Sequence, residues 1–187
     1  MPVRAGQKDI LFFSGTQQLA LYLEQGRLAE SAEWVGQVLD RTQSPTARAI
    51  YAFILVETGQ RERAAALFDD LAATGFGHPT NNVNWLRFAA DCAWLCARLD
   101  RPDGVAPLRS RLEPYADQLV VISLGGAVSG CVAYYLGLLC ATAGDRAEAD
   151  AHFAAAAATH QRIGAPAWLA RTRLERARMR KRRSGSP

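Results

Sequence analysis

Apolar residues recur along this chain with helical rather than strand spacing. The clearest instance is Ala133 to Ala157, AYYLGLLCATAGDRAEADAHFAAAA. Before Gly144-Asp145, Leu136, Gly137, Leu139 and Cys140 fall on one helical face; after it, Ala149, Phe153, Ala156 and Ala157 mark another. Gly144 suits the left-handed residue that ends a helix. Asp145 suits the N-cap of the next one, and Glu148 three residues on completes a capping-box pattern. Gly137 has no side chain, which lets the second helix approach the first, and Phe153 fills the remaining gap. Measured from Gly144, the pattern is a ruler: a small residue seven positions before, a small one five after, a large one nine after and an apolar one twelve after.

The ruler fits again at Gly59, with Ala52, Ala64, Phe68 and Leu71. It fits more loosely at Gly26, with Leu19, Ser31, Val35 and Val38, and at Asp100, with Ala93, Val105, Arg109 and Leu112, where an arginine takes the large position. Successive markers lie 33, 41 and 44 residues apart. Helices are expected over 16–25, 28–39, from Ser44-Pro45 to Thr58, 61–73, from a cap at Asn81 or Asn82 to Leu99, and from Val105 or Ala106, because proline is tolerated only in the first turn. His160 to Pro166 is expected to be a loop. A last helix from Pro166 is expected to turn Trp168, Leu169, Thr172 and Leu174 inward and its arginines outward. Leu119 to Leu124, LVVISL, followed by Gly125-Gly126 and Gly130, has the outline of a phosphate-binding strand and loop. Cys131-Val132 stands where that motif needs Lys and then Ser or Thr, so an extended linker is expected instead.

The stretch around Gly144 resembles a tetratricopeptide-type helical hairpin on Leu136-Gly137, Gly144-Asp145, Ala149, Phe153 and Ala156. The resemblance implies an all-α fold: a right-handed superhelical array of antiparallel helix pairs, a TPR-like α-solenoid of about nine helices. The expected organisation is a lead-in over 1–15, a single array over 16–180 and a disordered basic tail over 181–187.

Composition narrows the function classes. Hydrophobic residues make up 49% and charged residues 21%, a globular balance. No apolar run reaches the length of a membrane span, and MPVRAGQKDILFFSG has too short an apolar patch for a secretory signal, so the cytoplasm is the expected location. Cys92, Cys96, Cys131 and Cys140 form no CxxC, and His78, His152 and His160 do not cluster with them in sequence. They read as small buried hydrophobes, with no metal site and no disulfide framework. From Ala165 onward, eight cations face the one anion Glu175, a charge of +7, while the rest of the chain sums to −3 within the overall +4. There is no HExxH, no GxSxG and no cysteine paired with a histidine by motif. No catalytic residues and no cofactor are expected, and His152 reads as exposed or as an edge of the core.

From about Trp85 onward, LEPYADQLVV, a glycine-rich stretch, YLGLL, AGDRAEADAHF and RIGAPAWLARTRLERARM together resemble the C-terminal helical region of large bacterial signalling ATPases, including LuxR-type and MalT-like regulators and cyclase-associated proteins. The resemblance implies a non-catalytic interaction or sensory arm in transcriptional or second-messenger signalling. The implied partner is a protein such as a separate ATPase or cyclase regulator. A Walker lysine motif and a helix-turn-helix module are both missing from this sequence, which leaves a stand-alone arm, a split partner or a truncated relic. The apolar cluster Ile10 to Phe13 either folds back as a plug or is covered by upstream sequence or by a second subunit, making a homodimer through this edge the alternative partnership.

In stacked hairpins the first helix of each pair lines a concave face. The residues expected there are Phe53, Glu57, Arg87, Trp94, Arg98, Tyr134 and Leu138. Two arginines beside a Trp and a Tyr would hold an acidic peptide or small ligand; the opposing expectation puts Trp94 and Tyr134 in the core. A second function class follows from the tail. Arg176, Arg178, Arg180, Lys181, Arg182 and Arg183 are candidate phosphate contacts for nucleic-acid binding without sequence preference, against a solubilising end cap.

Overall fold

The computed structural model describes residues 15, 17–19, 21–23, 25–41, 44–77, 84–122 and 127–181, the side chains of 34 and 38–41 excepted. All four ruler markers take positive φ: Gly26 +70°, Gly59 +83°, Asp100 +56° and Gly144 +85°. Past each one the next amide reaches back five residues to a helix carbonyl: Arg27 to Tyr22 at 2.8 Å, Gln60 to Leu55 at 2.8 Å, Arg101 to Cys96 at 2.9 Å and Asp145 to Cys140 at 2.9 Å. This bond satisfies a carbonyl the helix leaves orphaned, and it turns the chain for the next helix.

Residues 17–19 and 21–23 are helical. A short 3-10 turn, Leu28–Ser31, then leads into α1 (Ala32–Arg41), followed by α2 (Pro45–Glu57), α3 (Arg61–Ala73), α4 (Trp85–Leu99) and α5 (Val105–Leu112). Strands β1 (Leu119–Ile122) and β2 (Ala127–Cys131) come next, then α6 (Val132–Ala143), α7 (Arg146–Arg162) and α8 (Pro166–Lys181). Asp145 caps α7 by accepting from the Glu148 amide at 3.2 Å, half of the expected capping box. Ser44 stands at the N-cap of α2 with Pro45 behind it, but its hydroxyl makes no capping bond. The caps expected at Asn81 or Asn82, the cluster Ile10 to Phe13, and Arg182 and Arg183 lie outside the described residues.

The fold is predominantly helical. Helix α2 packs on α3 and α4, α4 on α5 and α6, α6 on α7, and α7 on α8. The ruler positions form the seams. Ala52, Ala64, Phe68, Ala149, Phe153 and Ala156 are all fully buried. A Cβ added to Gly137 would lie 2.8 Å from the Phe153 ring, so the two helices meet where the ruler puts them.

Three stretches depart from expectation. In the linker, 119–122 and 127–131 pair as two antiparallel strands, Val121 with Val128 and Ile122 with Ala127. Val120 and Ile122 face inward, and β1 lies on α4. Between the Val121–Val128 and Leu119–Cys131 pairs β2 carries one extra residue, and Gly130 takes φ +73° there. A Cβ on Gly130 would sit 2.9 Å from Trp168, so the bulge also makes room for α8. Helix α7 extends to Arg162, which places His160 inside it rather than in a loop. On α8, Leu174 is 49% exposed, whereas Arg171 turns inward and donates to the Leu23 carbonyl at 3.0 Å.

Candidate functional site

Of the apolar residues expected to line an open groove, Phe53, Trp94 and Tyr134 are interior, and Leu138 shows only a small area at the floor of a cleft. Phe53, Trp94, Tyr134 and Leu138 are 6%, 3%, 0% and 4% exposed. Phe53 of α2, Trp94 of α4, Tyr134 of α6 and Trp168 of α8 form a line of rings with successive centroids 5.6, 5.8 and 5.7 Å apart. Helix α8 closes this row: Trp168 meets Tyr134 edge-on, Glu175 accepts from Arg98 at 2.9 Å, and Arg171 reaches Leu23. Aromatic side chains bury large apolar areas, so the chain's own last helix takes the face left open in the sequence reading. Burial pushes the Tyr134 phenol well up, and its hydroxyl has no partner among the described residues.

The two arginines expected in one groove serve different surroundings. They are eleven residues apart, about 16 Å along α4. The Nε–H of Arg87 lies 2.8 Å from both carboxylate oxygens of Asp91, and the two side chains are only 12% and 3% exposed. Burial alone would lower the Arg87 pKa, but Asp91 outweighs it and holds the guanidinium above its ordinary value. Arg87 also borders a void of about 20 Å³, room for roughly one water. It therefore neutralises a buried acid, and it is not available to a ligand.

Arg98 sits at an open surface. Its guanidinium lies 4.4 Å over the Trp94 ring and pairs with Glu175 at 2.9 Å and Glu57 at 3.6 Å. Glu57 in turn accepts from the Trp94 indole at 2.9 Å. Glu57, Trp94 and Arg98 are thus brought together as the sequence placed them, but as a network whose aromatic member is covered. Beyond Arg98 opens a cleft of about 360 Å³ between α4, α6, the start of α7 and α8. Its charged lining is Arg98, Arg146, Arg178 and Glu175, over Leu138 and Met179. Arg178 pairs with Glu175 at 2.8 Å, and Arg146 has no side-chain partner among the described residues. With Glu57 and Glu175 set against Arg98, Arg146 and Arg178, one positive charge is left over, and the apolar floor is bounded by polar groups.

The basic tail is partly neutralised within the fold. Arg176 and Arg180 both grip Asp150, at 2.6 and 2.8 Å, and the two guanidiniums hold its carboxyl down to about 2. With Arg178 on Glu175, Lys181 is the one described member of the candidate phosphate set without an ion pair. Arg173, which that set left out, is also unpaired and lies with Lys181, Arg176 and Arg180 on an open basic face.

Two arrangements lie outside the sequence expectations. His160 Nε2 accepts from the Cys131 amide at 3.1 Å, so the ring proton sits on Nδ1, facing Thr172 Oγ1 at 3.0 Å. This neutral imidazole ties β2, α7 and α8 together, and burial pushes its pKa down. The signal was present: His160 continues the 149–153–156 face by one more turn. The other arrangement is Cys140 meeting Glu148 and His152 across the α6–α7 seam.

No protein-family model matches this chain, and no curated protein sequence and no solved structure matches it. Among the described residues no helix is long and apolar enough to cross a membrane.

Proposed function

We propose that the chain is a non-catalytic binding module that takes an acidic segment of a protein partner into the cleft between α4, α6, α7 and α8. The observation that carries this reading is the surplus of guanidinium groups, Arg98, Arg146 and Arg178, over an apolar floor. Such a site suits a peptide that alternates carboxylates with small apolar side chains, because each charge-assisted bond is strong and directional. The row in which α2 contacts α4 and α4 contacts α6 supports the superhelical, TPR-like arrangement of helix pairs. The likeness of 112–178 to helical arms of signalling ATPases supports a regulatory setting, with a separate ATPase or cyclase regulator as the partner. The test is a pull-down from host extract with the wild type and with Arg146→Glu/Arg178→Glu. The double variant is expected to lose proteins that the wild type retains; the same proteins on both would overturn the cleft.

A second reading rests on the open face of Arg173, Arg176, Arg180 and Lys181. With Arg176 and Arg180 held by Asp150, we infer that this face contacts about two phosphates, giving a slope of log K against log salt near −2. A slope several times steeper would require the paired arginines to leave Asp150.

A further inference from the structure

Cys140 lies on the α6 face that meets α7, and Glu148 and His152 stand one turn apart on α7 opposite it. The Cys140 Sγ, a Glu148 carboxylate oxygen and a His152 ring nitrogen all lie within 4.8 Å of one another. His152 Nε2 is 3.9 Å from Glu148 Oε1. Two ligands held at about 2.0–2.3 Å on a tetrahedral ion are about 3.3–3.7 Å apart, so small side-chain rotations close the set.

The surroundings position the carboxylate. Glu148 is free of the capping box, because its side chain turns away from the Asp145 amide to the Arg109 guanidinium, which Glu113 holds in turn. A ligand carboxylate oriented by a second hydrogen bond is a common outer-shell arrangement. The His152 and Glu148 side chains are 21% and 35% exposed, so the set opens to solvent on one side.

We propose that Cys140, Glu148 and His152 bind one divalent ion of the zinc class, with water in the fourth position. Thiolate and imidazole together favour Zn²⁺ or Co²⁺ over the oxygen-seeking Mg²⁺ and Ca²⁺. As the metal–sulfur bond forms, the thiol proton leaves to solvent, and the ion staples α6 to α7. The site is independent of the cleft reading.

The test is a cobalt titration of the full chain after treatment with a chelator. One equivalent of Co²⁺ is expected to give tetrahedral d–d absorption with a thiolate-to-cobalt charge-transfer band, both displaced by Zn²⁺. Cys140→Ser should abolish the charge-transfer band, and His152→Ala should weaken cobalt binding by at least about tenfold. The His152 side chain is only partly buried, so its variant remains decisive if the serine variant fails to fold. Absence of a saturable band up to about 1 mM Co²⁺ would overturn the site. So would a band that survives undiminished in either folded variant.

Discussion

The α6–α7 and α4–α5 pairs share a turn geometry and differ at one large position. Both turn through a residue with positive φ, both reuse the five-residue return bond, and both bury the small residue seven positions before the turn: Gly137 in one, Ala93 in the other. Nine positions after the turn, α7 presents Phe153, fully buried against Gly137. Helix α5 presents Arg109, 29% exposed, which leaves its own pair and reaches Glu148 of the next. The backbone pattern decides where that side chain stands. Its chemistry decides whether the pair is sealed by packing or joined to its neighbour by charge.

The sharpest way to break this comparison is Phe153→Ala, expected to cost about 3–5 kcal/mol through lost burial and a cavity, read by urea unfolding. A cost under about 1 kcal/mol would mean the seam repacks freely, and the two pairs would be alike. Next, Gly137→Ala should cost about 1–3 kcal/mol, because its Cβ would meet the Phe153 ring at 2.8 Å. Combined with Phe153→Leu it should recover part of that loss, which locates the strain at this contact. At the other turn, Asp100→Gly should stabilise by about 0.5–1 kcal/mol, since the left-handed φ of +56° strains a residue with a Cβ.

A smaller effect follows acidification. His152 and His160, both on α7, are pushed below their ordinary pKa by burial. The unfolded chain therefore binds these protons first. Stability is full above the unfolded value of about 6.5 and is lost as pH falls through it toward the lower folded values. His160→Gln should flatten the part that belongs to the β2–α7–α8 bridge in unfolding curves between about pH 7.5 and 5.5. Smallest of all, Arg109→Leu should change stability by no more than about 1 kcal/mol, as expected for partly exposed ion pairs. A loss as large as that of Phe153→Ala would make Arg109 a true equivalent of the ring.

What the sequence determined by itself is local. The turns at Gly26, Gly59, Asp100 and Gly144, the cap at Asp145, the limits Arg61–Ala73 of α3 and the buried ruler positions all follow from hydrogen bonds and steric periods spanning a dozen residues. Of the site, the sequence placed Arg98 near Glu57, with which it pairs, and near Leu138, with which it lines the cleft, because all three lie on first helices of their pairs. Tertiary structure alone decided the rest. The pairing of 119–122 with 127–131, the closure of the Phe53–Trp94–Tyr134 row by α8 and the meeting of Cys140 with His152 all join separate elements, and the burial of the Arg87–Asp91 pair within α4 comes from the elements packed over it. An amphipathic pattern states that a face will be covered. Which surface covers it depends on competing burial areas and charge pairings across the whole molecule, and those exist only once the helices have packed.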